Sequence, residues 1–157
     1  MNDGSPPSGA SLVDMHADAL DFWLGEWDCT WNGGSGTNTI ACEFGGRVVV
    51  ERFEALVPDR WSGMSVSVLD PATESWRQTW VDSNGSYWHF VGTLVDGNLA
   101  FATPERVDAD STYKRMVFSG VTPDGFDWRW ERSEDGRAWE PRWAIAYRRQ
   151  SRTEPSR

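Results

Sequence analysis

The feature that most constrains the fold is a repeated alternation of large apolar and polar side chains. The segments 27–31 (WDCTW), 76–80 (WRQTW) and 126–130 (FDWRW) each place their aromatic side chains two or four positions apart. Because successive side chains of a strand point to opposite faces, this pattern predicts strands with one buried and one solvated face. Turn sequences such as Asp96-Gly97 and Asp135-Gly136 separate the segments, as expected for β-hairpins.

The spacing of these segments predicts the architecture. Nine or ten short strands follow one another with hairpin turns between them, and sequential hairpins favour a meander. A meander removes its exposed edge strands by closing on itself. We therefore expect an all-β fold, a closed up-and-down antiparallel β-barrel of nine or ten strands. A short N-terminal helix is expected over 12–24, where apolar residues recur at helical spacing between Asp14, a capping residue, and Gly25.

The length of 157 residues corresponds to one domain. Residues 1–11, rich in Gly, Ser and Pro, are expected to be a disordered lead, 12–149 the barrel domain and 150–157 a basic tail. The lead has neither the basic start nor the apolar stretch of a secretory signal, which favours a cytoplasmic protein. The two cysteines are then expected to be free thiols. If the glycine-rich turn 33–36 pairs Trp31 with Ile40, Cys29 lies opposite Cys42 as a packed neighbour.

Charge and motif content exclude several classes of function. The formal net charge of −9 disfavours nucleic-acid binding, and no apolar run is long enough for a transmembrane helix, so no membrane partner is expected. The chain lacks the spacing of a metal site and the motifs of the common hydrolases and phosphate-binding enzymes, so we expect no metal and no cofactor. A homodimer is compatible with the sequence.

Alternation also predicts what lines the barrel. If Trp27 points inward, most of the eleven tryptophans share that interior face, as do Cys29, Met64, Val66 and Val68. The leading hypothesis is a cavity that binds a small hydrophobic ligand, aromatic or isoprenoid-like; the alternative is an interior that the indoles fill completely. The predicted ligand-binding residues are Trp31, Gln78, Trp80, Trp128, Trp130, Trp143 and Tyr147.

A second hypothesis is an enzyme on the same scaffold, a cyclase or isomerase for a hydrophobic substrate. Its proton-transfer groups would be Glu51, which interrupts an apolar run, and His89. Glu51 could instead form a salt bridge outside the barrel, and His89 could face solvent because Trp88 and Phe90 compete for the inward positions. Carbohydrate binding by exposed indoles is disfavoured by the inward parity of most tryptophans.

Several motifs resemble those of a known family. Gly25-Glu26-Trp27 at the first strand resembles the G-x-W signature of lipocalins and related calycins, and segments 21–27, 76–82 and 133–139 are similar to uncharacterised bacterial lipocalin-like domains. The resemblance implies a closed barrel in which Arg148 packs over Trp27. It implies no particular activity. Haem-binding relatives use a histidine near the end of the chain, and no histidine follows His89 here.

Overall fold

The computed structural model describes residues 17–151 and contains ten strands in that part of the chain. The strands are β1 (Gly25–Trp31), β2 (Gly34–Glu43), β3 (Val48–Val57), β4 (Trp61–Asp70), β5 (Ser75–Asp82), β6 (Tyr87–Val95), β7 (Asn98–Ala102), β8 (Tyr113–Thr122), β9 (Gly125–Ser133) and β10 (Glu140–Arg149). Between residues 17 and 151 the chain also forms two short 3₁₀ helices, Asp21–Trp23 and Phe44–Gly46.

Every strand pairs antiparallel with its neighbours in sequence, and β1 pairs with β10 to close the barrel. The closing register runs from Trp27 opposite Arg149 to Thr30 opposite Ala146. The prediction of an all-β, closed up-and-down barrel is confirmed, with ten strands. Closure satisfies the backbone groups that an open sheet would leave exposed at its edges.

The first hairpin differs from the predicted register. A tight turn at Asn32-Gly33, with Gly33 at φ 80°, pairs Trp31 with Gly34 and Cys29 with Gly36. The prediction that Trp31 faces Ile40 and that Cys29 faces Cys42 is therefore wrong. Several glycines in this segment can form a turn, and the sequence pattern alone does not show which of them does. Cys29 is buried, Cys42 is exposed, and both are free thiols.

The predicted N-terminal helix is not seen in the described residues. Residues 17–20 form a turn and Asp21–Trp23 a 3₁₀ helix, while 12–16, with the expected cap Asp14, lie outside the described range. The lead 1–11 and residues 152–157 of the tail lie outside it as well. The apolar residues here do not form a helical stripe; Leu20 and Trp23 are almost fully buried against one end of the barrel.

Residues 17–24 form what we call the end cover. Phe22 meets Phe118 and Phe126 edge-on at 5.6 and 5.5 Å between ring centroids, and Trp23 meets Phe118 at 5.5 Å. The indole N–H of Trp27 donates to the Trp23 carbonyl at 2.8 Å. This end of the barrel is therefore closed by aromatic packing.

An arginine fastens the end cover to the last strand. The guanidinium of Arg149 lies 4.2 Å from the ring centroid of Trp27 and donates to the carbonyls of Leu24 at 2.8 Å and Phe22 at 3.4 Å. The resemblance implied this role for Arg148, which is exposed, so the position is wrong by one residue. Arg149 takes the role because it faces Trp27 across the β1–β10 pair.

Strand β4 is turned inside out relative to the prediction. The inward residues are Ser65 and Ser67, at 1% and 0% exposure, whereas Val66 and Val68 are 39% and 37% exposed. The expectation that Met64, Val66 and Val68 line the interior is wrong. Apolar character alone misassigned this strand because its inward serines bond to polar side chains of the adjacent strands.

Candidate functional site

A cavity of about 190 Å³ lies inside the barrel, towards the end opposite the end cover. Its wall includes Trp61, Trp88 and Trp143, which stand near the starts of β4, β6 and β10. Trp61 and Trp88 are only half-buried, so this end is in contact with solvent; we call it the mouth. The interior is neither empty nor filled: aromatic packing occupies the closed end and a cavity remains at the mouth.

The wall is largely aromatic. Six of its residues are tryptophans, namely Trp61, Trp80, Trp88, Trp128, Trp130 and Trp143. The others are Phe53, Phe90, Met116, Ile145 and Tyr147, together with the acids Glu51 and Asp82. Such a surface offers large apolar area and ring faces to a ligand, with few polar groups to orient it.

The indoles hold one another in place. Trp130 stacks on Trp88 at 5.2 Å and on Trp128 at 6.2 Å between centroids, with interplanar angles of 26° and 8°. Trp143 meets Trp128 nearly at right angles at 5.5 Å. Contacts of this kind add to the stabilisation from buried area and restrict the rings to few rotamers. The wall is therefore preorganised.

A glycine makes room for one of these rings. Gly63 on β4 lies beside the indole of Trp80, and a Cβ at that position would collide with the ring. The alternating pattern marks both positions as strand residues, but it does not show that the glycine serves the tryptophan.

Five of the seven predicted ligand-binding residues line the cavity: Trp80, Trp128, Trp130, Trp143 and Tyr147. Trp31 lies behind the wall, 5.2 Å from Trp143 and 6.2 Å from Phe53 between ring centroids. Gln78 faces the interior but is not part of the wall. Its amide nitrogen donates to Ser67 at 2.9 Å, and its Oε1 accepts no hydrogen bond from the described residues.

The most distinctive polar group is Glu51, one of the two predicted proton-transfer residues. Its carboxyl accepts hydrogen bonds from Asn38 Nδ2 and Ser65 Oγ, both at 2.7 Å. Glu51 is 7% exposed and forms part of the cavity wall. Burial raises the pKa of its carboxyl, and the hydrogen bonds from Asn38 and Ser65 oppose this rise only in part. The alternative of a salt bridge outside the barrel is wrong.

The network continues towards the closed end. Asn38 Nδ2 also donates to the Tyr147 hydroxyl at 3.1 Å, and Tyr147 is hydrogen-bonded to the Cys29 thiol. Burial raises the pKa of Cys29 to about 12 and, with the nearby Cys29 and Glu51, that of Tyr147 well above its ordinary value. Both groups are therefore neutral at physiological pH, and neither is an activated nucleophile.

A second carboxylate stands at the mouth. Asp82 Oδ2 accepts the indole N–H of Trp80 at 2.9 Å, while its Oδ1 accepts the backbone N–H groups of Asn84 and Ser86, each at 3.0 Å. Although partial burial opposes it, the hydrogen bonds from Trp80, Ser86 and Asn84 lower the pKa of Asp82. Asp82 therefore caps the turn that follows β5 and also forms part of the cavity wall.

A neighbouring indole has a similar partner. Trp88 Nε1 donates to Asp108 Oδ1 at 2.9 Å, which links the wall to the segment between β7 and β8. Asp108 and Asp110 in that segment lie 3.9 and 2.9 Å from the ammonium of Lys114. The mouth is thus bordered by ion-paired acidic residues.

His89, the other predicted proton-transfer residue, does not line the cavity. It pairs with Thr79 on the outer face of β5 and β6, where its Nε2 lies 3.4 Å from the Arg77 guanidinium. Trp88 and Phe90 occupy the inward positions of this strand and belong to the wall. Of the two facings that the sequence left open for His89, the structure shows the outward one, because side-chain alternation allows only one of the two sets to face inward.

The sequence did not predict every wall residue. Trp88 and Phe90 were weighed as inward, but Phe53 and Trp61 were missed. Phe53 lies in the continuous apolar run of β3, where the facing is ambiguous, and Trp61 is the first residue of β4, before any alternation begins. Parity with Glu51 identifies Phe53 once one facing in that strand is known.

Within residues 17–151 no cluster of His, Cys, Asp and Glu side chains has the composition and spacing to hold a metal ion. No helix in the same range is long and apolar enough to cross a membrane. The site is thus defined by its cavity, its indoles and two carboxyl groups. No known protein-family model matches this chain, and no curated protein shows significant sequence similarity to it.

Proposed function

We propose that this chain is a lipocalin-like barrel that binds a small hydrophobic molecule with an aromatic ring in the cavity at its mouth. The observation that carries the proposal is the wall itself, in which six indoles surround a cavity of about 190 Å³. Aromatic walls with few polar groups are typical of small-molecule sites. The exposed Cys42 thiol is compatible with the cytoplasmic location that we also propose.

The cavity volume narrows the class of ligand. Sites for drug-sized molecules enclose roughly 300–1,000 Å³, and an apolar cavity of about 150 Å³ holds benzene. A cavity of about 190 Å³ therefore suits one substituted ring and is too small for a long isoprenoid chain. We propose a one-ring ligand as the occupant.

Filling the cavity tests this proposal. We expect neopentylbenzene to quench the tryptophan fluorescence and raise the unfolding temperature of the wild type. Ile145→Phe adds volume inside the wall and fills part of the cavity, so it should weaken binding about tenfold, which corresponds to about 1.4 kcal/mol. Val66→Phe, on the outer face of β4, is the matched control and should bind like the wild type. Equal binding by both variants would place the ligand elsewhere.

The second candidate function is the isomerase, and one observation favours it. Glu51 is a buried carboxyl in the wall of an apolar cavity, and because burial raises its pKa, its ionised form is a stronger proton acceptor than an ordinary carboxylate. His89 has no part in this candidate because it lies outside the barrel. Glu51 alone would carry the proton: its carboxylate takes it from the substrate carbon between the carbonyl and the double bond and returns it to the far alkene carbon.

Conversion of cyclohex-3-enone to its conjugated isomer, followed by absorbance, separates the two candidates. As an enzyme, the wild type would accelerate the conversion over buffer, Glu51→Gln would abolish the acceleration, and Glu54→Gln would retain it. Glu54 lies on the same strand but is exposed on the outer face. Equal rates for wild type and Glu51→Gln would remove the catalytic role.

A further inference from the structure

Among the described residues, the cavity wall carries ionisable side chains of one charge type. Glu51 and Asp82 are acids, and no lysine, arginine or histidine lines the cavity. Lys114 shares the inward face of β8 with the wall residue Met116, but its ammonium is held by Asp110 at 2.9 Å and lies 3.9 Å from Asp108. A ligand in the cavity therefore meets carboxyl groups and ring faces, without an unpaired positive group.

Glu51 is a buried acid that has no cationic partner among residues 17–151. Its hydrogen-bond partners are the neutral side chains of Asn38 and Ser65, each bonded to a different carboxyl oxygen. A carboxylate has about four acceptor sites, so these two bonds leave capacity for another group on the cavity side. Burial disfavours the ionised form of this carboxyl, and a positive ligand beside it would favour that form and pair with its charge.

Two indoles at the mouth make hydrogen bonds to carboxylates that favour cation binding on their ring faces. Trp80 and Trp88 donate their N–H groups to the carboxylates of Asp82 and Asp108, both at 2.9 Å. A hydrogen bond to an anion polarises the donor ring and increases the negative potential of its face. The same bonds occupy the indole N–H groups, so these rings offer a ligand their faces, which attract cations.

From these observations we propose that the ligand is a small organic cation, a protonated amine or quaternary ammonium group carried on a one-ring apolar body. Its positive centre would lie against the indole faces, with Glu51 and Asp82 balancing its charge, and its ring would fill the apolar part of the wall. This inference rests on the proposed ligand-binding function, since it names the ligand class for the same cavity. A carboxylate ligand would bring a further negative charge to these acids and would be rejected.

Three probes of similar shape test the charge preference: benzyltrimethylammonium, its uncharged isostere neopentylbenzene, and phenylacetate. Affinities are measured by isothermal titration calorimetry and by quenching of tryptophan fluorescence. We expect the ammonium compound to bind at least about tenfold more tightly than neopentylbenzene, as expected for a desolvated cation–π contact assisted by a carboxylate. Phenylacetate should not bind.

Variants then assign the preference to the two acids. Glu51→Gln and Asp82→Asn keep the shape of the wall, and each should weaken benzyltrimethylammonium binding about tenfold without changing the affinity for neopentylbenzene. Glu54→Gln makes the same chemical change on the outer face of β3, and Asp96→Asn does so in the β6–β7 turn at the closed end. Both controls should bind all three probes like the wild type. Thermal unfolding verifies that each variant is folded. The comparison of the three probes on the wild type does not depend on any variant.

Each outcome decides between the two proposals. If neopentylbenzene binds as tightly as the ammonium compound, or more tightly, the cation inference is overturned and the ligand-binding function stands. If neither compound binds, both are overturned. If the ammonium compound is preferred but Glu51→Gln and Asp82→Asn match their controls, the assignment of the preference to this wall is overturned.

Discussion

At the level of single residues, a few polar side chains determine which face of β4 points into the barrel. Ser65 and Ser67 point inward although Val66 and Val68 are more hydrophobic, and they bond to Glu51 and Gln78 on the adjacent strands. The loss of apolar burial is offset because the buried carboxyl and amide would otherwise lack partners. Sequence patterns weigh each residue's own hydrophobicity and cannot weigh bonds between strands, which is why β4 was predicted the wrong way round.

The buried carboxyl gives the fold a particular pH dependence. Burial raises the pKa of Glu51 in the folded protein above the ordinary value of 4.5. Between 4.5 and the raised pKa the unfolded chain has released the proton while the folded protein keeps it, so stability falls as pH rises through that window. Below 4.5 the carboxyl is protonated in both states, and this contribution to the pH dependence vanishes.

We therefore expect Glu51→Gln to gain stability relative to the wild type as pH rises above 4.5, by at most about 1.4 kcal/mol per pH unit, the limit for one proton. The glutamine can accept from Asn38 and donate to Ser65, so the network survives. Urea unfolding at a series of pH values measures the difference, with Glu54→Gln as the control. A difference that shrinks as pH rises would contradict the burial of an uncompensated carboxyl.

At the scale of elements, two predictions about the ends of strands were wrong. The register of the first hairpin depends on which glycine of the run forms the turn. On β10, the arginine that lies over Trp27 is Arg149 and not the preceding Arg148. The two errors have different causes: the hairpin register depends on the turn, whereas Arg149 shares the inward facing of Tyr147 and only the resemblance assigned the role to Arg148. Alternation fixes facing within a strand, whereas position along the strand is fixed by turn geometry and cross-strand pairing.

The contacts that Arg149 makes with Trp27 and the end cover predict that it contributes more to the unfolding free energy than the adjacent Arg148 does. Arg149→Lys keeps the charge but loses the flat ring contact and the paired bonds to the Leu24 and Phe22 carbonyls. It should cost about 1–3 kcal/mol of unfolding free energy. Arg148→Lys, at an exposed site, should change it by less than about 0.5 kcal/mol. Chemical denaturation measures both, and equal effects would remove the structural role of Arg149.

For the whole molecule, the closed all-β barrel was predictable because the patterns that indicate it involve residues close together in sequence. Alternation, turn residues and the number of segments do not require knowledge of distant contacts. Five residues of the cavity wall were predictable for the same reason, since Trp80, Trp128, Trp130, Trp143 and Tyr147 lie in clearly alternating strands. The cavity volume, the Glu51 network and the position of His89 depend on how strands pack around the barrel, and they required the structure.

The end cover has a consequence for how the molecule can be used. Residue 17 enters beside it, and Gln150 donates to the Glu26 carbonyl at 2.9 Å, so both ends of the described chain leave the barrel on the side away from the mouth. A reporter domain or surface tether attached beyond either end of the described chain would lie on the side away from the mouth and leave the cavity entrance unobstructed. The scaffold is thus already oriented for an immobilised sensor whose readout is the fluorescence of its own tryptophans.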